Sequence, residues 1–420
     1  MRSICVFLSS LLASLFTFSV HAESTQSQVS LVAPARDGTD HIPDPIKDLG
    51  STHKIKVVYF LPTDREPVKN YAQKIETLLA FVSDVYKRDL TSKGYACKGL
   101  DFEFKDGHLD VRVLKGKQPA AHYNFAPAYN CSPKVFDLLI AEVAQAYGPW
   151  NKNFYLVLAE TYDDGPCKWE WPGGFALGAN WGAEGGAGTF CSWILRDEFC
   201  ATSIEEQMKL LADDTPIPGR IALGHGRMNS PRFEFIEDGF GAVCHELGHA
   251  FGCPHDSRLD RNFIMGNGFR VFRVNYLGKF SKSSPMCFSV DNARILAQSR
   301  FLCNGVDATD NTAPKVSVSA PATLKPGTRV IPVKISASDD KALAAVLLHV
   351  SQGDSVRGGG ELSGTKQELS IDLTVPALKL GEIMLTTTVV DKGGNFRTAK
   401  WRIKIEEPTA PQPSNAGDKK

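Results

Sequence analysis

The chain reads as an α/β domain followed by an all-β sandwich. Three observations predict this. Strand-like and helix-like segments alternate between residues 54 and 161; short β-rich runs separated by turn signals fill residues 313–406; and every cysteine precedes residue 304, so the composition changes where the second pattern begins.

Taken in order, KIKVVYFLP (54–62) has the β-branched and aromatic content of a buried strand. Residues 70–95 then place Ile75, Leu78, Leu79, Val82, Val85 and Tyr86 at helical spacing. LDFEFK and HLDVRVL (100–105 and 108–114) read as a hairpin, SPKVFDLLIAEVAQAY (132–147) as a second helix and FYLVLAET (154–161) as a central strand. After Cys303, VDATDNTAP (306–314) is a polar linker. KVSVSA, RVIPVKISASD, AAVLLHVS, QELSIDLTV, MLTTTVVD and KWRIKIE then read as sandwich strands.

The ends carry different information. MRSICVFLSSLLASLFTFSVHA combines Arg2, an apolar run of about 17 residues and a small-x-small pattern ending at Ala22, which is read as a cleaved secretory signal over residues 1–22. The competing reading is an uncleaved anchor; no other stretch is apolar enough to span a bilayer. Residues 23–52 are polar and aperiodic, a linker or short pro-segment without a cysteine. The expected organisation is therefore 1–22 signal, 23–52 linker or pro-segment, 53–305 α/β domain, 313–406 sandwich and 407–420 disordered tail. A secreted or periplasmic location follows, and several disulfides are expected among the nine remaining cysteines; nine is odd, so at least one thiol is free or paired outside the chain. Acidic and basic residues balance at 47 each, which argues against a nucleic-acid partner.

Residues 167–193 stand apart. Trp169, Trp171, Trp181 and Trp193 lie among glycines, and FALGANW suits an exposed edge strand available to an extended peptide. The segment is read as a cleft wall, with a disulfide-stapled loop whose aromatics fill a satellite core as the alternative.

The chemistry concentrates in GAVCHELGHAFGCPHDSRLDRNFIMG (241–266). A helix over 238–251, capped by Asp238 with Val243, Leu247 and Phe251 inward, puts His245 and His249 four apart on one face. Gly252 can stop that helix in a left-handed conformation, so His255 can return toward the same point. Three imidazoles with one open position suit a single hydrolytic Zn2+. Glu246, beside His245, is placed to take a proton from water without filling a ligand position. Cys244 points off that face and reads as a buried small residue or disulfide partner; Glu237 and Asp238 read as capping or as partners of the histidines, and His225 as a solvated loop residue.

His245-Glu246-Leu247-Gly248-His249 through Gly252 to His255 is similar to the extended zinc signature of the metzincin metalloproteases, and Asn262-Phe263-Ile264-Met265-Gly266 resembles that clan's Met-turn. Asp256 after the third histidine is similar to the adamalysin (reprolysin-like) branch; Asn267 stands where astacin-like and serralysin-like members place a tyrosine. The resemblance implies an α/β (α+β) catalytic domain with a twisted mixed sheet and an active-site helix, metal ligands His245, His249 and His255, general base Glu246 and a structural Met265. DNTAPKVSV, SDDKALAAV and VVDKGGNFRTA resemble the immunoglobulin-like domains appended to secreted bacterial proteins.

The expected function is a secreted zinc endopeptidase acting on extended polypeptides, its sandwich a spacer or an anchor to matrix, cell wall or glycan. Two alternatives stay open: a surface- or glycan-binding adhesin on the same scaffold, and a zinc hydrolase of a non-protein amide or of peptidoglycan cross-links.

Overall fold

The computed structural model describes residues 38–123, 133–163, 175–224, 227–259 and 261–407. The expected signal, residues 23–37 of the linker, Cys131, Cys167, Trp169, Trp171, His225 and the tail beyond 407 lie outside the described residues.

Strand β1 (Ile55–Leu61) is buried along its length and is followed by helix α1 (Tyr71–Ser92), whose Ile75, Leu78, Leu79, Val82, Val85 and Tyr86 all face the core. A short hairpin of β2 (Phe104–Lys105) and β3 (His108–Leu109) precedes β4 (Val111–Lys115). The expected hairpin over 100–114 is thus only partly formed, because β4 leaves it to pair in parallel with β1. Helices α2 (Ala120–Tyr123) and α3 (Pro133–Tyr147) lead to β5 (Phe154–Ala159), then β6 (Ala176–Asn180) and β7 (Gly186–Cys191). The sheet order is β4-β1-β5-β7-β6, parallel except for the antiparallel edge strand β6.

Strand β7 lies inside the glycine-rich segment and carried no strand signal. Its glycines are explained by packing: a Cβ at Gly186 would overlap the Ala250 carbonyl, and one at Gly188 would sit 3.3 Å from the Glu246 carbonyl carbon. The tryptophans divide. Trp193 is fully buried in the core beside Phe190 and Phe199, which corrects its assignment to a cleft wall, and Trp181 stacks on Phe136 with ring centroids 5.9 Å apart.

After α4 (Ile204–Leu211) comes α5 (Arg232–Ala250), which crosses under β6 and β7. It begins six residues before the expected start. Asp238 is therefore not its cap; it lies inside the helix, buried, where it accepts from Arg270 Nη1 at 2.6 Å and from Gly224 N at 3.1 Å. Glu237 likewise accepts from the Arg273 backbone at 3.1 Å. The start was hidden because the helix is buried almost all round and so lacks a polar face, and because Gly239 and Gly241 weaken the helical signal. Both glycines are required by contact: a Cβ at Gly239 would overlap Ile194, and one at Gly241 the Phe269 carbonyl.

Helix α6 (Val290–Leu296) closes this part of the chain. The remainder folds as β8 (Lys315–Ser319), β9 (Thr323–Leu324), β10 (Val330–Ser338), β11 (Leu343–Val350), β12 (Ser355–Glu361), β13 (Lys366–Thr374), β14 (Gly381–Asp391) and β15 (Phe396–Ile405). The sheets β13-β10-β8 and β12-β11-β14-β15-β9 enclose one apolar core that includes Ile331, Val333, Leu348, Leu385 and Ile403. All six expected strands are present. The Gly-rich β12 was missed, since SVRGGGE has no alternation to read.

Sandwich and α/β layer are not beads on a linker. Leu347, Val356 and Val390 belong to the core of the α/β layer, and Arg300, almost fully buried, donates to the Gly393 carbonyl at 2.7 Å and to that of Asp310. Residues 38–52 are also docked: His41 N donates to Tyr276 O at 2.7 Å, and Ser51 Oγ to Asp101 at 2.6 Å. Cys97 and Cys303 face each other across an isolated antiparallel bridge, whereas Cys244 is buried in α5, where burial pushes its thiol pKa up. Among the described residues no helix is long and apolar enough to cross a membrane.

Candidate metal centre

The centre forms at the C-terminal end of α5. His245 and His249 project from one face, and the helix stops as expected: Gly252 takes φ +96°, its N–H donates to His249 O and the Cys253 N–H to Gly248 O, both at 2.9 Å. This is the paired 5→2 and 6→1 closure of a left-handed C-terminal cap. It turns the chain so that His255 faces the other two imidazoles.

Each imidazole is oriented through its Nδ1. His245 Nδ1 lies 2.6 Å from the Ile264 carbonyl, His249 Nδ1 2.8 Å from the Cys253 carbonyl, and His255 Nδ1 2.6 Å from Asp354 Oδ2. Carbonyl and carboxylate oxygens only accept, so all three Nδ1 atoms carry a proton, which makes Nε2 the lone-pair nitrogen of each imidazole in its neutral form. The Nε2 atoms converge: that of His249 is 3.1 Å from those of both His245 and His255. Tetrahedral nitrogen ligands at about 2.0–2.1 Å from an ion would lie about 3.3 Å apart, so the donor set matches one metal ion. Burial first, then the neighbouring imidazoles, hold His245 well below the usual histidine range and push His249 down to about 4. Both are therefore neutral, as ligands must be.

Glu246, next to His245 on α5, is buried. Burial pushes its carboxyl up to about 8 against the opposing effect of the Gly178 backbone N–H, which donates to it. A carboxyl with proton affinity near neutrality can both take and return a proton. Gly178 belongs to edge strand β6, and a Cβ there would overlap the Glu246 carbonyl, so only glycine brings that strand this close to the helix. Met265 is fully buried against Gly248, where an added Cβ would overlap its Sδ, and its carbonyl accepts from Asp256 N at 2.8 Å. Asp256 itself is buried and takes a bidentate pair from Arg258 at 2.9 and 2.7 Å.

The three histidines expected from the sequence are thus brought together, with Glu246 next to His245 on the same helix and Met265 packed against Gly248. Two partners were missed. Gly178 lies in FALGANW, read as an edge strand for a peptide but not as a partner of Glu246. Asp354 lies 99 residues from His255, in the turn between β11 and β12, with φ +36° and its other oxygen 3.1 Å from His349 Nε2. No local pattern points to it.

Residues 188–320, from β7 through the histidine triad to the first sandwich strand, match the "Metallopep" family model, described as "Putative peptidase family". This match and the histidine triad support a metal-dependent peptidase that hydrolyses peptide bonds. No curated protein matches by sequence. Among solved structures the fold is shared with catalytically inactive OgpA from Akkermansia muciniphila in complex with an O-glycopeptide (glycodrosocin) substrate, at TM-score 0.57 and 16% identity over 88% of this chain and 97% of that one. Wild-type OgpA from the same organism gives TM-score 0.58 and 17% identity over 88% and 98%.

Replacing Asp354 with asparagine, which tolerates the left-handed backbone, is expected to weaken metal affinity about 10–100-fold by loosening His255. A chelator competition titration reads this directly, and unchanged affinity would remove Asp354 from the site.

Proposed function

We propose that this chain is a secreted zinc endopeptidase of metzincin type, with Glu246 as general base and His245, His249 and His255 as the ligands of one zinc ion. The observation that carries the reading is the convergence of three Nε2 lone pairs, each imidazole locked by an acceptor at Nδ1, beside a buried carboxyl. Bound there, zinc supplies a Lewis acid that lowers the pKa of water and polarises the scissile carbonyl. Glu246 takes the proton of the attacking water and passes it to the leaving amine nitrogen. Edge strand β6 offers its free side to an extended peptide as one more strand, which would lay the scissile bond across the C-terminal end of α5.

Asp256, directly after the third histidine, is what supports the adamalysin-like branch. Cleavage after Ala22 would deliver the chain to an oxidising compartment, where Cys97 and Cys303, unbridged but opposite each other across an isolated β-bridge, would be the pair to oxidise. The sandwich keeps its resemblance to immunoglobulin-like domains as a proposal, and its contact with His255 argues against a mere spacer.

Cleavage-site profiling with zinc-loaded protein tests the reading, using peptide libraries that include O-glycosylated members because the fold is shared with a protein seen with an O-glycopeptide. Cuts clustered at defined positions are expected. Tight glycan binding with every peptide left intact would replace the peptidase by the adhesin reading.

A further inference from the structure

A second group of acidic side chains lies at the junction of the sandwich with the α/β layer. It is built from three turns distant in sequence: the linker with Asp307 and Asp310, the β10–β11 turn with Asp339 and Asp340, and the β14–β15 turn that starts at Asp391. One carboxylate oxygen each from Asp310, Asp339 and Asp340 lie within 4.8 Å of one another. Asp310 is 1% exposed.

The hydrogen-bond pattern shows which oxygens are in use. Asp310 Oδ1 accepts the Thr312 N–H at 3.1 Å, and Asp339 Oδ1 accepts those of Lys341 and Ala342 at 2.9 and 2.8 Å. The Oδ2 atoms of both residues are buried and have no hydrogen-bond partner. Burying an unpaired carboxylate oxygen beside two other carboxylates carries a large desolvation and repulsion cost unless a cation is present. Lys341 lends charge to Asp310 and Asp340 from nearby, but its Nζ hydrogen-bonds to Asp307 Oδ2 at 2.9 Å and Thr309 Oγ1 at 3.0 Å and leaves both buried Oδ2 atoms without a partner. Arg300 supplies none either: its guanidinium is directed at backbone carbonyls, at Asn311 and Asn395, and at Glu184 Oε1 3.4 Å away. Asp391, fully buried alongside, is pushed up to about 6 by burial and by the Asp310 and Asp339 charges, against its bonds from Asn395.

We propose that Asp310, Asp339 and Asp340 bind a calcium ion that clamps the sandwich to the α/β layer. Oxygens sharing one ion at about 2.3–2.6 Å lie at most about 5 Å apart, which the cluster satisfies. An all-carboxylate donor set without nitrogen or sulfur selects a hard cation, and an irregular set drawn from the linker and the β10–β11 turn suits calcium better than octahedral magnesium. Water or backbone carbonyls complete the shell. The site is independent of the histidine centre and of the proposed function.

The test titrates CaCl2 into the full chain in chelator-treated buffer with constant free zinc, so that the histidine site stays filled, and follows calorimetric heat and the melting temperature. One saturable calcium per chain is expected, with Kd in about the 10⁻⁴–10⁻³ M range or tighter and a rise in Tm. Asp340→Asn, on an exposed side chain that folding does not need, is expected to weaken binding about tenfold or more. Asp310→Asn should abolish it, and His249→Ala should leave it unchanged. No saturable uptake below about 10 mM calcium, or an Asp340→Asn variant that binds as tightly as wild type, would overturn the site. Equal affinity for MgCl2 would overturn its assignment to calcium.

Discussion

Replacing Glu246 with glutamine is expected to lower peptide cleavage about 10²–10⁴-fold while leaving one metal ion per chain. Glutamine keeps the volume and an oxygen that can still accept the Gly178 N–H, so the packing between α5 and β6 is preserved. What it loses is the ability to take a proton. Metal content and kcat/KM measured together separate the two: loss of activity at full metal loading assigns the proton transfer to Glu246, and unimpaired turnover would remove it from that role.

The second large effect is expected at His249. Its Nε2 is 3.1 Å from both other ligand nitrogens, so it is the middle member of the donor set. His249→Ala should weaken metal binding by more than the roughly 10–100-fold expected when an outer partner such as Asp354 is lost. It should also abolish the rise in melting temperature that the metal gives wild-type protein, because that rise depends on binding to the folded state. A variant that keeps wild-type metal affinity would show that His245 and His255 suffice with another ligand.

The contrast between these residues and Asp354 shows what a sequence can disclose. His245, Glu246, His249, Gly252 and His255 lie within eleven consecutive positions, and the geometry among them follows from the helical repeat and one left-handed glycine. The strands β1 and β5 and the helix α1 were readable because each has an uninterrupted apolar pattern over several residues. Strands β7 and β12 were not, since glycine replaces the side chains from which a period is read. The first turns of α5 were lost for a related reason: a helix buried on every side has no polar face, and its glycines answer to Ile194 and Phe269, which only the folded chain brings near.

By itself, then, the sequence determined the local chemistry: the alternation that makes an α/β layer, the β-rich second half, and three imidazoles with one carboxyl on a helix and its exit. Tertiary structure alone decided which oxygens orient those imidazoles, that the edge strand's Gly178 reaches Glu246, that Trp193 fills the core, and that the sandwich supplies Asp354 to His255. The physical reason is one of range. Backbone periodicity specifies positions within a turn or two, whereas a contact across 99 residues depends on how whole sheets and helices bury their faces together, which no short window of sequence contains.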